Sequence, residues 1–419
     1  MSVFDTMESE VRSYSRAWPT VFTTGHGTIL RDEAGRDWID FFAGAGALNY
    51  GHNHPELKAV LLRYLARDGI THGLDMNTDA KRVFLERLRD LVLTPRGLDY
   101  RVQFPGPGGT NAVEAALKLA RKVTGRHTVA YFARGFHGMT LGSLAVTANP
   151  TKRAGAGVPL SHTVAMPYDD PTDDDTQATA RLARSLEIAA QEGPPAAVVV
   201  ENVQGEGGVN VARPAWLRAL ATWTREHGAL LIVDDIQMGC GRTGRFFSFE
   251  EAGIVPDIVC LSKSISGYGM PMALTLLRPE HDVWKPGEHN GTFRGYNPAF
   301  VTAARALELF WSDDALAKRT EALGERTGRA LRRIAHRHGL PQPRGRGLVW
   351  GLPFARPGQA REVCAAAYRA GLLIETAGLN DEVAKLLPPL NVPEANLERG
   401  LDIFADAVTS VIGTKALAA

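Results

Sequence analysis

One lysine stands where an apolar strand is expected to end. Lys263 follows the run Ile258-Val259-Cys260-Leu261 and precedes small residues and glycines in the stretch LSKSISGYG. A buried ammonium group without a partner costs several kcal/mol or gives up its proton. The sequence therefore predicts either a partner that keeps Lys263 in place or a use for a neutral amine, which can attack a carbonyl carbon.

A carboxylate stands at a similar point, after the apolar run 230–233 in LLIVDDIQMGCGRTG. In open α/β sheets ligands bind beyond the carboxyl ends of the strands, so Asp234 is a candidate ligand-binding acid. Such an acid needs a cationic or hydrogen-bonding partner. For either Asp234 or Asp235 taken alone, the alternative is an aspartate that caps the next helix, and the sequence leaves both interpretations open.

A glycine-rich turn, GPGGTN at 106–111, precedes the strong helix former AVEAALKLAR. We expect Thr110 or Asn111 to cap this helix. The free amides and the positive dipole end of such a helix suit a phosphate group. The turn matches neither the dinucleotide pattern G-x-G-x-x-G nor the P-loop, which disfavours a dinucleotide or a nucleoside triphosphate. Taken alone, such a turn is more often an ordinary loop.

Together these features meet the requirements of pyridoxal phosphate: an imine-forming amine, an acid for the pyridine nitrogen and a helix end for the phosphate. Over essentially its whole length the sequence resembles the class III (ω-amino acid) aminotransferases of PLP fold type I. The matching stretches are FFAGAGALNYGHNHP, GGTNAVEAALKLAR, FHG, ENVQGEGG, LLIVDDIQMGCGRTG, LSKSISGYG and GTFRGYNP.

The resemblance implies a role for each residue around the cofactor ring. Lys263 would hold the cofactor aldehyde and then move the proton between substrate and cofactor carbons. Asp234 would pair with the pyridine nitrogen and keep it protonated. Gln237 would hydrogen-bond near the phenolic oxygen, and Phe136 would stack on the ring with His137 beside it.

The resemblance also implies a phosphate site shared between subunits. Gly109 and Thr110 would hold the phosphate from one subunit, and Thr292 would complete the cup from the neighbouring subunit. The expected assembly is a homodimer or a higher homo-oligomer whose isolated monomer is inactive.

Within this family, further stretches such as FHGMTLGSLAVT, KRAGAGVPL and PGEHNGTFRG resemble members that act in ectoine biosynthesis. This implies transfer of the amino group of glutamate to aspartate 4-semialdehyde, giving L-2,4-diaminobutyrate and 2-oxoglutarate in two ping-pong halves. The alternative is another ω-aminotransferase, acting on ornithine, 4-aminobutyrate or a diamine of specialised metabolism. It would share Lys263, Asp234 and Gln237 and differ only in pocket residues.

Two substrates that place their carboxylates differently require an adjustable pocket. Related enzymes use a glutamate–arginine pair as a movable gate, and Glu206 matches that glutamate. Lys385 stands where the arginine is usual. Lysine lacks the bidentate fork of arginine and is expected to hold a carboxylate less rigidly. Lys385 is alternatively a solvated helix residue. Arg294 is a candidate for binding a substrate carboxylate or the cofactor phosphate.

The elements that must position these residues alternate between apolar strands and amphipathic helices. Strand candidates include 129–132, 197–200 and 230–233, and such alternation predicts a parallel sheet covered on both faces. The expected α/β fold has a large domain, 51–311, with a mainly parallel seven-stranded sheet. A smaller α/β domain would combine a hairpin in 1–50 with a helix–strand succession in 312–419.

The bulk properties argue against several other classes of protein. The 419 residues carry a net charge of +1, which gives no reason to expect nucleic acid or a membrane as partner. Three dispersed cysteines fit a reducing compartment, and with no signal peptide or membrane span expected, a cytoplasmic location follows. His52 and His54 lack further ligands at metal spacing. A nicotinamide oxidoreductase, a hydrolase with a nucleophile elbow and a DNA-binding regulator lack their motifs as well.

Overall fold

The apolar runs of the chain form the strands of four sheets. The structure, a computed structural model, describes residues 2–416. Within that range the strands are β1 (Phe22–His26), β2 (Ile29–Asp32), β3 (Asp37–Asp40), β4 (Arg101–Gln103), β5 (Val129–Phe132), β6 (Thr163–Met166), β7 (Ala197–Val200), β8 (Val203–Gln204), β9 (Asn210–Val211), β10 (Leu230–Asp234), β11 (Ile258–Leu261), β12 (Leu274–Leu277), β13 (Arg344–Arg346), β14 (Val349–Pro353), β15 (Leu372–Leu373), β16 (Glu375–Ala377) and β17 (Val383–Leu386).

The helices begin largely at proline, serine, threonine or aspartate signals, as helix N-termini do. They are α1 (Val3–Met7), α2 (Tyr14–Ala17), α3 (Ala43–Gly46), α4 (Pro55–Ala66), α5 (Asp79–Arg87), α6 (Gly109–Thr124), α7 (Leu141–Ala145), α8 (Pro150–Ala154), α9 (Asp175–Ala189), α10 (Pro214–Glu226), α11 (Asn297–Phe310), α12 (Ala315–His338), α13 (Gln359–Arg369) and α14 (Glu394–Ala416). None of the helices within residues 2–416 is both long and apolar enough to cross a membrane.

The central sheet has seven strands in the order β4-β12-β11-β10-β7-β5-β6. Strands β11, β10, β7, β5 and β6 run parallel, and β12 is antiparallel to its neighbours β11 and β4. Strands β5, β7, β10 and β11 are buried along their whole length because helices cover both faces. The predicted α/β fold with a mainly parallel seven-stranded sheet is confirmed.

Both ends of the chain meet in a smaller part of the molecule. The predicted hairpin forms β2 and β3, and β3 pairs in parallel with β15 from the C-terminal region. A second four-stranded sheet has the order β13-β14-β17-β16. The smaller α/β unit built from both termini is therefore confirmed, whereas the division at residues 50 and 311 stays a prediction.

A fully buried arginine, Arg242, ties these parts together. Its guanidinium donates to the carbonyl of Leu348 at 2.9 Å and to Asn49 Oδ1 at 2.6 Å, and also to the carbonyl of Pro388. Burial lowers its pKa to about 9. Three distant chain segments are thus fixed beside the edge of the central sheet where the candidate site lies.

The N-cap of helix α6 lies two or three residues before the predicted position. It is Gly108 rather than Thr110 or Asn111, and Asn111 Oδ1 instead accepts from the Gly108 amide at 3.0 Å. The helix–strand succession predicted for 312–419 begins with α12.

Candidate active site

The predicted site residues meet at the carboxyl edge of the parallel strands. Asp234 ends β10, Lys263 follows β11 after one residue, and Phe136 follows β5 by a short loop. They enclose a cavity of about 180 Å³. The lining residues are Gly109, Thr110, Phe136, His137, Gly138, Glu201, Glu206, Asp234, Ile236, Gln237, Met238 and Lys263. Seven of the eight residues predicted to hold the cofactor line this cavity, Thr292 being the exception.

Lys263 is held in a strained backbone conformation at the start of a short 3-10 turn. Its φ is +54°, in the left-handed region, which is strained for a residue with a side chain. Its Nζ donates to the carbonyl of Ala45 at 2.9 Å. Burial lowers the pKa of Lys263, although the nearby Glu206 carboxylate opposes that shift. The strand end thus presents an amine that loses its proton more readily than an exposed lysine.

Asp234 and His137 form a buried pair. His137 Nδ1 lies 2.7 Å from Asp234 Oδ2, and the Ile236 amide donates to Asp234 Oδ1 at 3.2 Å. Burial opposes a positive imidazole, but the hydrogen bond and charge of Asp234 raise the pKa of His137 overall. His137 lies in the cavity wall and contacts this carboxylate. The pair fixes the direction in which Asp234 presents its oxygens.

The N-terminus of α6 forms the opposite end of the cavity. Amides in the first turn of a helix have no intrahelical acceptor and carry the positive end of the helix dipole. Thr110 Oγ1 lies 2.6 Å from Thr140 Oγ1 and 2.9 Å from Ser143 Oγ, so its position is fixed by two hydroxyls. A Cβ at Gly109 would stand 3.1 Å from Ile236. These features suit a phosphate group.

Phe136 and Gln237 line the cavity between these ends. Gln237 Nε2 donates to the Ala45 carbonyl at 3.0 Å and to Glu206 Oε1 at 3.2 Å. Gln237 Oε1 is buried and has no hydrogen-bond partner within the described residues. Lys152 Nζ lies 4.4 Å from the centroid of the Phe136 ring. The cavity is thus lined by the aromatic ring of Phe136 and by Gln237, whose Oε1 has no hydrogen-bond partner within the described residues. Both features suit the binding of a polar aromatic ring.

Sequence reasoning missed Glu201, which also lines the cavity. Its Oε2 accepts from the Phe136 amide at 2.9 Å. Burial raises the pKa of Glu201 to about 8. Glu201 comes directly after the buried strand β7, so the strand-end rule that singled out Asp234 applies to it as well.

Glu206 and Lys385 form the ion pair that the gate hypothesis requires. Lys385 Nζ lies 2.6 Å from Glu206 Oε1. Lys385 is a residue of strand β17 with a side chain 0% exposed, so its interpretation as a solvated helix residue is wrong. Burial alone would raise the pKa of Glu206, but the Lys385 charge lowers it to about 2. The attraction of Glu206 also raises the pKa of Lys385 despite burial.

A second carboxylate, absent from the sequence-based prediction, contacts the same ammonium. Glu375 Oε1 lies 3.0 Å from Lys385 Nζ, and its side chain is 7% exposed. The Tyr14 hydroxyl donates to Glu375 Oε2 at 3.2 Å. Burial raises the pKa of Glu375 even though Lys385 opposes that effect. Lys385 therefore stands between two carboxylates.

Thr292 and Arg294 lie outside the cavity of their own chain. They belong to a short 3-10 turn, where His72 Nε2 is 2.6 Å from the Thr292 carbonyl oxygen. Arg294 Nη1 donates to Asn290 Oδ1 at 2.9 Å and lies 4.0 Å from Asp75. The role of Thr292 in a site shared between subunits, and that of Arg294 in binding a substrate carboxylate or the cofactor phosphate, stay predictions.

The residues of the cavity fit pyridoxal phosphate chemically. An amine with a lowered pKa, a buried acid and a helix N-terminus stand in one enclosure with an aromatic side chain. The described residues contain no group of three or more His, Cys, Asp or Glu side chains placed to hold a metal ion. The arrangement can form a carbon–nitrogen bond to an aldehyde and fix an anion at the opposite end.

Comparisons with known proteins agree on one family. The family model "Aminotransferase class-III" matches residues 11–408. A diaminobutyrate–2-oxoglutarate transaminase of Nocardia farcinica is 62% identical over 412 residues, covering 98% of this chain and 94% of that protein. A protein of the same description from Streptomyces anulatus is 59% identical over 409 residues, covering 97% of each.

A solved structure of the ornithine aminotransferase from Toxoplasma gondii superposes with a TM-score of 0.84 at 27% identity. The match covers 97% of this chain and 93% of that one, and its description reports partial occupancy of PLP at the active site. The α/β architecture therefore agrees with an aminotransferase fold.

Proposed function

The chain belongs to the class III aminotransferases, and from this we propose that it is a diaminobutyrate–2-oxoglutarate transaminase. It transfers the amino group of L-glutamate to L-aspartate 4-semialdehyde, giving L-2,4-diaminobutyrate and 2-oxoglutarate. The observation that carries this proposal is the near full-length identity of 62% with a transaminase of that description. An ornithine enzyme is the weaker candidate because the ornithine aminotransferase compared is 27% identical.

The cofactor is pyridoxal 5'-phosphate, which supplies an aldehyde for bonding an amine and a ring that withdraws electrons from the reacting carbon. Lys263 would bind the aldehyde through its amine. Asp234 would keep the pyridine nitrogen protonated, with His137 holding its carboxylate at 2.7 Å. Gly109 and Thr110 at the α6 N-terminus would hold the phosphate.

Once a substrate amine takes its place, Lys263 is free to carry a proton. Burial lowers its pKa, so a larger fraction of Lys263 is neutral near pH 7 than of an exposed lysine. A neutral amine accepts a proton from the substrate carbon and returns it at a second atom. The left-handed backbone at Lys263 fixes where this amine lies along the cavity wall.

The two substrates place different charges beside the reacting amine. Glutamate has a carboxylate on the carbon that carries this amine, whereas diaminobutyrate has its carboxylate two carbons further away. We propose that the Glu206–Lys385 pair at 2.6 Å stays closed for diaminobutyrate and opens for glutamate. Lys385 then binds the glutamate carboxylate in place of Glu206.

We further propose a cytoplasmic homodimer with shared sites. Thr292 is exposed in its own chain and does not line the cavity there, as expected of a residue that serves a neighbouring subunit. Arg294 lies on the same turn and is a candidate for binding a substrate carboxylate or the cofactor phosphate. The small-molecule partners are the amino acids and oxo acids of the reaction.

Spectra of single half-reactions test the proposed function. Protein loaded with pyridoxal phosphate is mixed separately with L-2,4-diaminobutyrate, glutamate, ornithine and 4-aminobutyrate, and loss of the visible cofactor band is followed. The expected result is fast loss with diaminobutyrate and glutamate alone. Fast loss with glutamate and ornithine, but not diaminobutyrate, would refute the substrate and leave the family unchanged.

A further inference from the structure

The ammonium group of Lys385 is shared between a carboxylate that can move and one that is fixed. Its Nζ lies 2.6 Å from Glu206 Oε1 and 3.0 Å from Glu375 Oε1. We propose that Glu375 is a positioning residue that lets Lys385 release Glu206 without becoming an unpaired buried cation. The inference rests on the proposed function, because only a substrate such as glutamate requires that release.

Backbone pairing fixes Glu375 opposite Lys385. The two residues are direct partners in the antiparallel pair β16–β17. Directly opposed side chains in such a pair have Cβ atoms about 5 Å apart, so their contact follows from strand register. The Tyr14 hydroxyl donates to the second oxygen of Glu375 at 3.2 Å and restrains it further.

Glu206 lies instead on a short connection with glycines on both sides. Gly205 precedes it, and Gly207 and Gly208 follow it, between β8 and β9. Its side-chain contacts are Lys385 and the amide of Gln237, at 2.6 and 3.2 Å. The Glu206 side chain is 26% exposed, against 7% for Glu375, so of the two carboxylates on Lys385 Glu206 is the one with room to withdraw.

The charges determine which step Glu375 affects. With Glu206 withdrawn, Lys385 and Glu375 form a neutral buried pair, whereas without Glu375 the same state would contain a lone buried ammonium, which is strongly unfavourable. After a substrate carboxylate has entered, Lys385 again has as many carboxylates as before. Glu375 therefore lowers the barrier to exchange and leaves the affinity for the entering carboxylate nearly unchanged.

The test is Glu375→Gln, which removes the charge and keeps the shape. Protein loaded with pyridoxal phosphate is mixed rapidly with glutarate, a dicarboxylate without an amine, and binding is followed by the shift of the cofactor band. We expect the binding rate to fall by about tenfold or more, with the dissociation constant changed by less than about threefold. The diaminobutyrate half-reaction, in which the gate stays closed, should keep its rate.

Three variants serve as controls. Glu382→Gln removes a nearby carboxylate that pairs with Arg134 at 3.7 Å rather than with Lys385, and should leave the binding rate unchanged. Glu375→Asp restores the charge and should recover part of the rate. Tyr14→Phe should slow binding less than Glu375→Gln.

The outcomes separate this inference from the proposed function. An unchanged glutarate binding rate in Glu375→Gln, or equal slowing of the glutamate and diaminobutyrate half-reactions, would overturn the role of Glu375. If Glu375→Gln does not fold, the glutarate binding rates of Glu375→Asp and Tyr14→Phe are compared with the wild-type rate. Unchanged binding rates in both variants would also overturn the role of Glu375. A wild-type protein that reacts with neither glutamate nor diaminobutyrate would refute the proposed function instead.

Discussion

Replacing Lys385 by methionine removes a buried positive charge while keeping most of the side-chain volume. Glu206 and Glu375 each lie within 3.0 Å of its Nζ, so the variant leaves two carboxylates close together in a buried site. Two such charges about 5 Å apart repel by about 3 kcal/mol at an effective dielectric constant of 20. Lys385→Met should therefore lower the free energy of unfolding by about 3–5 kcal/mol near neutral pH.

The loss should depend on pH in a definite direction. In the wild type, Glu206 has a pKa of about 2 against an ordinary 4.5, so its stabilisation of about 3 kcal/mol is complete above pH 5 and declines only as pH falls toward 2. In Lys385→Met, burial and mutual repulsion raise the carboxyl pKa values. That destabilisation grows as pH rises above 4.5, so the variant should lose less stability at pH 5 than at pH 8, although it lacks the stabilisation from Glu206 at both pH values.

Urea unfolding at pH 8 and pH 5, followed by circular dichroism and tryptophan fluorescence, measures this difference, and coincident transitions justify the two-state treatment. The matched control is Lys318→Met, whose ammonium pairs with Asp314 at 2.8 Å on the exposed surface of α12 and should matter little. A variant as stable as the wild type at pH 8, or an equal loss at both pH values, would refute the buried three-group arrangement.

Three further predictions concern catalysis and assembly. Lys263→Ala, incubated with pyridoxal phosphate and then dialysed to remove unbound cofactor, should lack the visible band; a band that persists would contradict the role of Lys263 as the cofactor-binding amine. Glu206→Ala should slow the diaminobutyrate half-reaction about tenfold more than the glutamate half-reaction, because it removes about 1.4 kcal/mol or more of charged hydrogen bonding to Lys385. Equal losses, measured by stopped-flow absorbance, would indicate a merely structural role. Mixed oligomers of Lys263→Ala and Thr292→Ala chains should be more active than either parent, because one site then has both residues intact; activity equal to the parental mean would exclude a shared site.

Much of the fold could be predicted from local patterns. The runs 129–132, 197–200 and 230–233 form strands β5, β7 and β10 because short apolar segments between helices can be buried only in a covered parallel sheet. The predicted N-cap of α6 was wrong by two or three residues, because several adjacent residues with suitable side chains compete for a helix boundary.

Local sequence patterns are enough to predict the chemistry of the cofactor site. Lys263 and Asp234 stand at strand ends, and parallel strands bring their carboxyl ends to one edge whatever lies between them in the chain. A local pattern therefore specifies their convergence, and it implies Glu201 by the same rule.

For Lys385 the sequence predicted the partner Glu206, but neither the strand that carries the lysine nor its second carboxylate. Its placement in β17 and its contact with Glu375 depend on the pairing of two strands that the sequence does not reveal. The Tyr14 hydroxyl donates to Glu375 although the two residues are 361 positions apart in the chain. The charge, burial and partners of a side chain in such a site depend on strand register and long-range packing, and no local pattern encodes either.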